Sequence, residues 1–467
     1  MKQLAPITLP KTIDAHNYDA IDPLDSRYYD VEIAHYLSER SRVAYQAYVE
    51  AALANTLADY GVCTQEIADE IAIATSKVTT EEVYAEEKTT RHDIKALVNV
   101  IKSKLSEQAQ PYVHFGATSH DVIGTASSLQ LKDAMTNVVI PRLQTLLQSL
   151  AIMTETYADT VQVGRTHGQH AVPITFGFAI AEYVSRLGQS LEIIQRSTDN
   201  LFGKFSGAVG SYNALSIFID NPEEFEEKIV TILGLKVAPY STQIIPSENV
   251  VRLLDELSLT AGIMSNLAHD MRHLQRTEIG EVRERFEPGQ TGSSTMAHKR
   301  NPWNFENVVS MWKQVTAQVI NTRLNISSEH QRDLTDSASS RFYVIIPASV
   351  VAMATRLNTI MNKLEVDEDN MKRNLKMTGG AIAAEPLYLL FEKYGHTTAH
   401  EKSKDLAHQA MEAGVPLVDV INADAEATEY WNKFTDNEKK IISQPETYYI
   451  GKAAEKAHRI AATYKKV

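Results

Sequence analysis

The prolines of this chain are unevenly spaced, and the long stretches without them constrain the fold more than any other feature. The 467 residues include 15 prolines, and proline-free stretches lie between Pro23 and Pro111, Pro246 and Pro288, Pro302 and Pro347, and Pro347 and Pro386. A proline inside a helix costs about 3 kcal/mol, so long helices form most readily where prolines are absent. We therefore expect a mostly helical protein.

Apolar residues in the central part of the chain repeat at helical spacing. One stripe consists of Leu143, Leu146, Leu147 and Leu150, and another of Phe178, Ala181, Val184, Leu187, Leu191 and Ile194. Both follow a 3.6-residue period, whereas the alternation typical of strands is scarce. Long helices are not stable alone in water, so these stripes must pack against one another or against other subunits. The pattern predicts an all-α fold with a central bundle of long helices.

The chain has no internal repeat and no low-complexity linker that would separate independent modules. Three regions are nevertheless distinguishable. We expect an N-terminal helical domain over residues 1–117, a central long-helix domain over residues 118–364 and a charge-rich C-terminal helical domain over residues 365–467.

Charge and cysteine content exclude several kinds of protein. The chain has 46 Lys and Arg against 59 Asp and Glu, a net charge of −13, which does not attract a nucleic acid. Cys63 is the only cysteine, so no intrachain disulfide forms and a reducing cytoplasm is expected. The N-terminus lacks the pattern of a secretory signal. The most apolar run, residues 344–354, is shorter than the ~18 residues of a membrane span, so no membrane partner is expected.

Residues 290–302, QTGSSTMAHKRNP, break the helical pattern and predict a loop between two long helices. Two hydroxyls follow Gly292, Lys299 has no acidic neighbour in sequence, and Asn301 precedes Pro302. A hydroxyl, an ammonium group and an amide this close together suit the formation and stabilisation of an anion. Serine-rich loops are also common structural turns, so composition alone leaves both interpretations open.

The run GSSTMAHKRNP resembles the signature loop of the fumarase/aspartase superfamily, whose enzymes release fumarate by β-elimination. The resemblance implies a three-domain all-α fold with a central bundle of long helices. It also implies that Ser293 is the catalytic base and that Lys299 and Asn301 hold the substrate carboxylate and the developing anion. Ala297 stands where the superfamily usually has proline, a change that removes no chemical group.

The segment GRTHGQHAVP, residues 164–173, resembles the part of adenylosuccinate lyases that carries the general acid. The resemblance implies that role for His167. A lone histidine is more often structural, but this one lies in a turn bounded by glycine and proline where the helical pattern is interrupted. A histidine pKa of about 6.5 suits proton donation near neutrality.

Further segments resemble the binding segments of adenylosuccinate lyases in the same order, and the matches extend from Arg27 to Arg341. They imply substrate-binding roles for Arg27, Tyr28, Arg91, His92, Asp93, Thr118, Ser119, Gln243, Arg332, Ser337 and Arg341. Adenylosuccinate carries a phosphate and two succinyl carboxylates, so an acidic chain must concentrate cations at one place, and the arginine fork suits both groups.

The family resemblance also implies substrates and assembly. The expected reactions release fumarate from adenylosuccinate and from succinylaminoimidazole-carboxamide ribotide, in purine nucleotide synthesis. The expected assembly is a homotetramer whose active sites are shared between subunits. A sister enzyme such as argininosuccinate lyase or fumarase is an alternative, against which Arg27, Arg332 and Arg341 count. A catalytically inactive helical scaffold is another, against which the intact Ser293, His167 and Lys299 count.

No metal or other cofactor is expected. His269 and His273 have the spacing of two zinc ligands on a helix, and His396 and His400 share it. Such pairs recur on helix faces, and the sequence offers no evident third ligand. The glycine-rich motifs for nucleoside triphosphates and for NAD are not found in the sequence.

Overall fold

The computed structural model describes residues 7–9, 21–287, 289, 292, 295–296 and 298–465, and helices make up most of this part of the chain. The helices of the first half are α1 (Val31–Leu37), α2 (Glu39–Asp59), α3 (Gln65–Thr75), α4 (Thr80–Thr90), α5 (Asp93–Lys102), α6 (Ser119–Ala134), α7 (Ile140–Thr156), α8 (Phe176–Asp199) and α9 (Pro222–Ile232). A π-helical turn, Met135–Val139, joins α6 to α7.

The second half continues with long helices and then shorter ones. They are α10 (Glu248–Leu274), α11 (Trp303–Leu324), α12 (Ile345–Met361), α13 (Glu368–Lys376), α14 (Ala384–Lys393), α15 (Ala399–Ala413), α16 (Leu417–Ala423), α17 (Ala425–Trp431), α18 (Asp436–Ser443), α19 (Pro445–Tyr448) and α20 (Ala453–Tyr464). Short 3₁₀ turns are Pro23–Asp25, Gln110–Tyr112, Leu215–Ile217, Ser339–Phe342 and Ala381–Ala383.

The strands pair in twos. They are β1 (Val161–Thr166) with β2 (Gln169–Thr175), β3 (Phe202–Gly203) with β4 (Lys236–Val237), and β5 (Val282–Arg283) with β6 (Glu365–Val366). The β1–β2 pair is an antiparallel hairpin and carries His167 at its tip. The sequence predicts a turn at an interrupted helix here and misses the strands. The register shifts at Gly164, so the regular alternation that identifies a strand is lost.

The apolar stripes predicted from the sequence are buried. The four leucines of the α7 stripe are at most 5% exposed. In the α8 stripe, the five residues that follow Phe178 are equally buried, and Phe178 itself is half-buried. The helices α8, α10 and α11 contain 24, 27 and 22 residues. Their length follows from the proline-free stretches, and the mostly helical prediction is confirmed.

The long helices pack side by side. Arg186 of α8 donates a hydrogen bond to Asn266 of α10 over 2.9 Å. Gly262 of α10 faces Trp312 of α11 so closely that a Cβ atom would lie 3.3 Å from the indole nitrogen. Arg356 of α12 donates to a side chain at the start of α11 over 2.7 Å. The predicted central bundle of long helices is confirmed.

The chain divides into two compact units. The first unit comprises residues 1–143, 190–262 and 310–355, and the second comprises residues 144–189, 263–309 and 356–467. The boundaries between the units fall inside the long helices α7, α8, α10, α11 and α12. This division follows packing rather than chain order, and the three-domain boundaries expected from the sequence stay a prediction.

One helical segment of the described residues, Ser339–Met361, is long and apolar enough to cross a membrane. It spans 23 residues and so exceeds the apolar run noted in the sequence, because the helix continues on both sides of that run. However, 61% of its most apolar window is buried inside the protein. Its hydrophobicity therefore fits a core helix.

Candidate functional site

A cavity of about 790 Å³ lies in the first unit, and five separate segments of the chain line it. It brings together many of the binding residues expected from the sequence: Arg91, His92, Asp93, Thr118, Ser119, Gln243, Arg332, Ser337 and Arg341. Arg27 and Tyr28 belong to the same unit but are not among the residues that line this cavity.

Helix α6 begins at the wall of the cavity. The carboxylate of Asp121 accepts a hydrogen bond from the backbone N–H of Thr118 over 2.8 Å and so caps the helix. The fully buried Asp121 also pairs with the fully buried Lys204 and accepts a bond from the N–H of Gly207 over 3.3 Å. The turn of Thr118 and Ser119 is thereby fixed, and the positive end of the helix dipole favours an anion beside it.

The arginines of the cavity differ in how firmly they are held. Arg42 forms a fork with Glu39, whose oxygens lie 2.5–3.0 Å from its nitrogens. Burial opposes ionisation of Glu39, but the hydrogen bonds from Arg42 outweigh it and lower the pKa of the carboxyl. Arg341 is 49% exposed and lies 3.9 Å from both Glu39 and Asp93. Arg341 is therefore more easily transferred to an anionic ligand than Arg42 is.

Arg332 combines an ion pair with an unused donor. Its Nη1 lies 2.8 Å from a carboxylate oxygen of Asp336. Within the part of the chain that the structure describes, its Nε is buried without a hydrogen-bond partner. A buried donor of this kind costs free energy until an acceptor reaches it.

The sequence reasoning missed cavity residues, among them His120, Glu39 and Arg42. His120 directly follows Thr118 and Ser119, and that adjacency was the signal available. Burial, aided by the charge of Arg332, lowers its pKa to about 4. The imidazole is therefore neutral near pH 7, where it both donates and accepts hydrogen bonds.

His167 belongs to the second unit. It is exposed and occupies the tip of the β1–β2 hairpin, between the paired residues Thr166 and Gln169. Its φ is 55° and that of Gly168 is 73°, so both residues of the two-residue turn are left-handed. A histidine in this conformation is uncommon and marks a position where the backbone is constrained.

The predicted signature loop joins α10 to α11 in the second unit. Ser293, Ser294 and Ala297 lie outside the described residues. Lys299 is exposed, and Asn301 donates a hydrogen bond to the carbonyl of Gly292 over 3.1 Å. A Cβ atom on Gly292 would lie 2.0 Å from the carbonyl oxygen of Lys299, so only glycine fits there. These contacts close the two ends of the loop on each other.

The paired histidines have structural surroundings. His396 is 6% exposed and stacks on Phe391 at a ring distance of 5.4 Å. His269 contacts Arg272 over 3.2 Å. No group of three or more His, Cys, Asp or Glu that could hold a metal ion occurs among the described residues.

Comparison with known proteins defines the class of this fold. A family model described as "Lyase" matches residues 25–317. The solved structure of a 3-carboxy-cis,cis-muconate lactonizing enzyme from Pseudomonas putida matches with a TM-score of 0.84 at 26% identity, covering 95% of this chain and 99% of that one. The chain is therefore a member of the lyase family.

Closer relatives narrow the assignment. Adenylosuccinate lyase of Pyrococcus abyssi is 38% identical over 446 residues, which cover 93% of this chain and 96% of the relative. The enzyme of the same name from Methanocaldococcus jannaschii is 34% identical and covers 96% of each chain. A model described as "Adenylosuccinate lyase C-terminal" matches residues 328–435. The chain belongs to the adenylosuccinate lyase family.

The imidazole of His114 provides a pH-dependent test of the segment that precedes α6. Its Nδ1 lies 2.6 Å from Oε1 of the buried Glu50, and the backbone N–H of His114 donates to the other carboxylate oxygen over 3.0 Å. Burial opposes protonation, but the Glu50 charge outweighs it and raises the pKa of His114 above 6.5. A histidine whose pKa is raised by folding stabilises the folded state. This stabilisation is complete below the pKa of the unfolded state and is lost as the pH rises through the pKa of the folded state.

We therefore expect the folded protein to lose stability as the pH rises from about 6.5 through the folded pKa of His114. Urea unfolding midpoints measured from pH 6 to 9 check this. The matched variant His114→Gln, which keeps a hydrogen-bonding side chain without the titration, should show a smaller decrease over the same range. Parallel pH profiles for the two proteins would contradict this assignment.

Proposed function

We propose that this chain catalyses the elimination of fumarate from adenylosuccinate, giving AMP, and from succinylaminoimidazole-carboxamide ribotide. The observation that carries the proposal is the cavity that gathers Arg91, Arg332 and Arg341 around the start of α6. An acidic protein with a cavity this rich in arginine is suited to a ligand bearing a phosphate and carboxylates. The relatives named above support the substrate class.

The proposed mechanism needs a base, an acid and anion-stabilising donors. Ser293 removes the proton beside one succinyl carboxylate, and the electron pair is delocalised into that carboxylate. The C–N bond then breaks as His167 gives a proton to the departing nitrogen. Lys299 and Asn301 stabilise the anion, and closure of the loop excludes water, which makes the serine a stronger base. The mechanism uses no metal or other cofactor.

The two signature-loop hydroxyls should differ in effect. Ser293→Ala removes the proposed base and keeps the shape of the site, so we expect turnover to fall at least a thousandfold with AMP affinity nearly unchanged. Ser294→Ala should cost less, through loop geometry. Fumarate release from adenylosuccinate, followed by absorbance, measures both.

Wild-type protein in the same assay also decides between the proposed function and its alternatives. Release of fumarate only from argininosuccinate would identify a sister enzyme, and no release from any such substrate would identify an inactive scaffold. Normal turnover by Ser293→Ala together with an inactive Ser294→Ala would reverse the assignment within the pair.

Arg332 and Arg341, the two cavity arginines between α11 and α12, should bind the phosphate of the nucleotide. Arg332 has an unused buried Nε–H, and Arg341 is only loosely paired. We expect Arg332→Ala and Arg341→Ala each to weaken AMP binding by about 1.5–3 kcal/mol, the usual contribution of a charge-assisted hydrogen bond. Calorimetric titration with AMP measures the affinity. The variant Arg323→Ala is a matched control, because Arg323 lies in the same unit and pairs with Asp255 away from the cavity.

Assembly into a homotetramer completes the proposal. Large apolar side chains on the long helices of the first unit are exposed: Ile193, Leu259, Ile320 and Leu324 are between 39% and 71% accessible. Apolar side chains in such number on long helices are typical of surfaces covered by other subunits. The tetramer brings together a histidine and a serine from different chains, and the enzyme works in the cytoplasm on small-molecule substrates.

Shared sites predict complementation between inactive variants. When His167→Ala and Ser293→Ala proteins exchange subunits, some sites receive an intact histidine from one chain and an intact serine from the other. We expect activity to reappear in the mixture. Differently tagged chains, purified in sequence, show that exchange has occurred. Mixed tetramers without activity above either parent would show that this pair does not serve one shared site.

A further inference from the structure

The tip that presents His167 depends on the pairing of its two strands. Both turn residues have positive φ, and a non-glycine residue in that region costs about 1–2 kcal/mol. Such a turn persists only where the flanking strands hold it in one register, because slipping by one residue turns every side chain to the other face.

The hairpin has an irregular step immediately before this tip. Val163 pairs with Pro173, but Arg165 pairs with His170, so Gly164 of β1 lies opposite two residues of β2, Ala171 and Val172, and the extra residue of the bulge is in β2. A Cβ atom on Gly164 would lie 2.8 Å from the carbonyl oxygen of Val172, which leaves room only for glycine. The register just before the tip therefore depends on glycine at this position.

Glu281 contacts β1 on both sides of Gly164. Its carboxylate is fully buried and accepts hydrogen bonds from Gln162 over 2.7 Å and from Arg165 over 2.5 and 3.2 Å. Gln162 and Arg165 stand on either side of the step in register, so the two contacts hold β1 both before and after it.

The rest of the structure holds Glu281 in place. Asn374 of α13 donates to its carboxylate over 2.8 Å. The backbone N–H of Glu281 donates to the carbonyl of Leu274 at the end of α10 over 3.0 Å. The backbone carbonyl of Glu281 accepts a hydrogen bond from the N–H of Asp367 over 2.9 Å. The carboxylate is thus a fixed point to which the hairpin is attached.

We propose that Glu281 is a positioning residue for His167. By binding Gln162 and Arg165 it holds β1 on both sides of the step in register, and the held strand places His167 at the tip. This inference rests on the proposed function of His167 as the general acid. It assigns a part in placing the hairpin to a buried carboxylate that directly precedes β5.

The first test uses variants that disturb the register in different ways. Glu281→Gln places amide hydrogens against the three donors, and Gly164→Ala forces a Cβ atom into the partner strand. We expect both to lower kcat at least tenfold while AMP affinity stays within twofold, because the cavity is lined by other segments. Arg165→Lys, which keeps the charge and loses the fork, should give a smaller decrease and serves where the other variants fold poorly.

The second test asks which catalytic group Glu281 serves. Under the shared-site proposal, Glu281→Gln chains retain an intact signature loop and lack a well-placed histidine. Mixing them with Ser293→Ala chains should therefore restore activity, and mixing them with His167→Ala chains should not. Glu284→Gln is the matched control, since Glu284 is 2% exposed and binds Asn304 and Phe305 at the start of α11. If Glu284→Gln lowers activity, mixing with His167→Ala chains should restore it, because those chains supply an intact signature loop.

The outcomes separate this inference from the proposed function. An inactive wild-type protein overturns the proposed function. With an active wild type, wild-type kcat in Glu281→Gln and Arg165→Lys overturns the inference, and so does restoration of Glu281→Gln by His167→Ala rather than Ser293→Ala. If His167→Ala and Ser293→Ala do not complement each other, the first test alone decides. In that case, an equal loss of AMP affinity and kcat in Glu281→Gln overturns the inference.

Discussion

Burial of the apolar stripes of the long helices is the constraint on which the remaining structure depends. Helices of this length gain their stability from tertiary packing rather than from intrinsic propensity. Once they lie side by side, the connections between them are the places where the chain is free to vary. The predicted functional segments are such connections: residues 114–119 before α6, 164–173 between α7 and α8, 290–302 between α10 and α11, and 331–341 between α11 and α12.

Electrostatics in the cavity are local rather than global. The chain has a net charge of −13, yet four arginines line one cavity together with carboxylates that partly neutralise them. The carboxylates paired with Arg42, Arg332 and Arg341 keep these side chains ordered before a ligand arrives, and the pairs differ in their distances. Arg42 is held by short hydrogen bonds to Glu39 and is suited to a structural role. Arg341 lies 3.9 Å from Glu39 and from Asp93. An acidic protein thereby offers an anion site without a basic surface.

The sequence predicted the helices well and the small strands poorly. Proline-free stretches and apolar stripes such as that of α7 determine helices through local rules, and the structure buries those stripes. The hairpin of His167 was missed because its strands are short and an extra residue in β2 interrupts the alternation. The cavity residues His120 and Glu39 were missed for a different reason. No local pattern shows that a residue on one helix faces a loop two hundred residues away, because that proximity is produced by packing.

The motifs drawn from the family resemblance led to four of the five segments that line the cavity, since each is a short segment with an unusual composition. The tertiary partners of those motifs had no such signal. Glu281 and Lys204 are ordinary charged residues in the sequence, and only their complete burial distinguishes them. Their contacts join segments that are far apart in the chain, Glu281 with β1 and Lys204 with α6.

The buried pair of Asp121 and Lys204 also restricts how the sequence can change over generations. Removing either charge leaves the other buried without a partner, which typically costs about 3–5 kcal/mol, whereas replacing both together by apolar residues is often neutral. Every single-residue path away from the pair therefore passes through an unstable intermediate. Lineages that inherit this cavity wall are expected to keep both residues or to exchange both, even where the surrounding helix surface drifts freely.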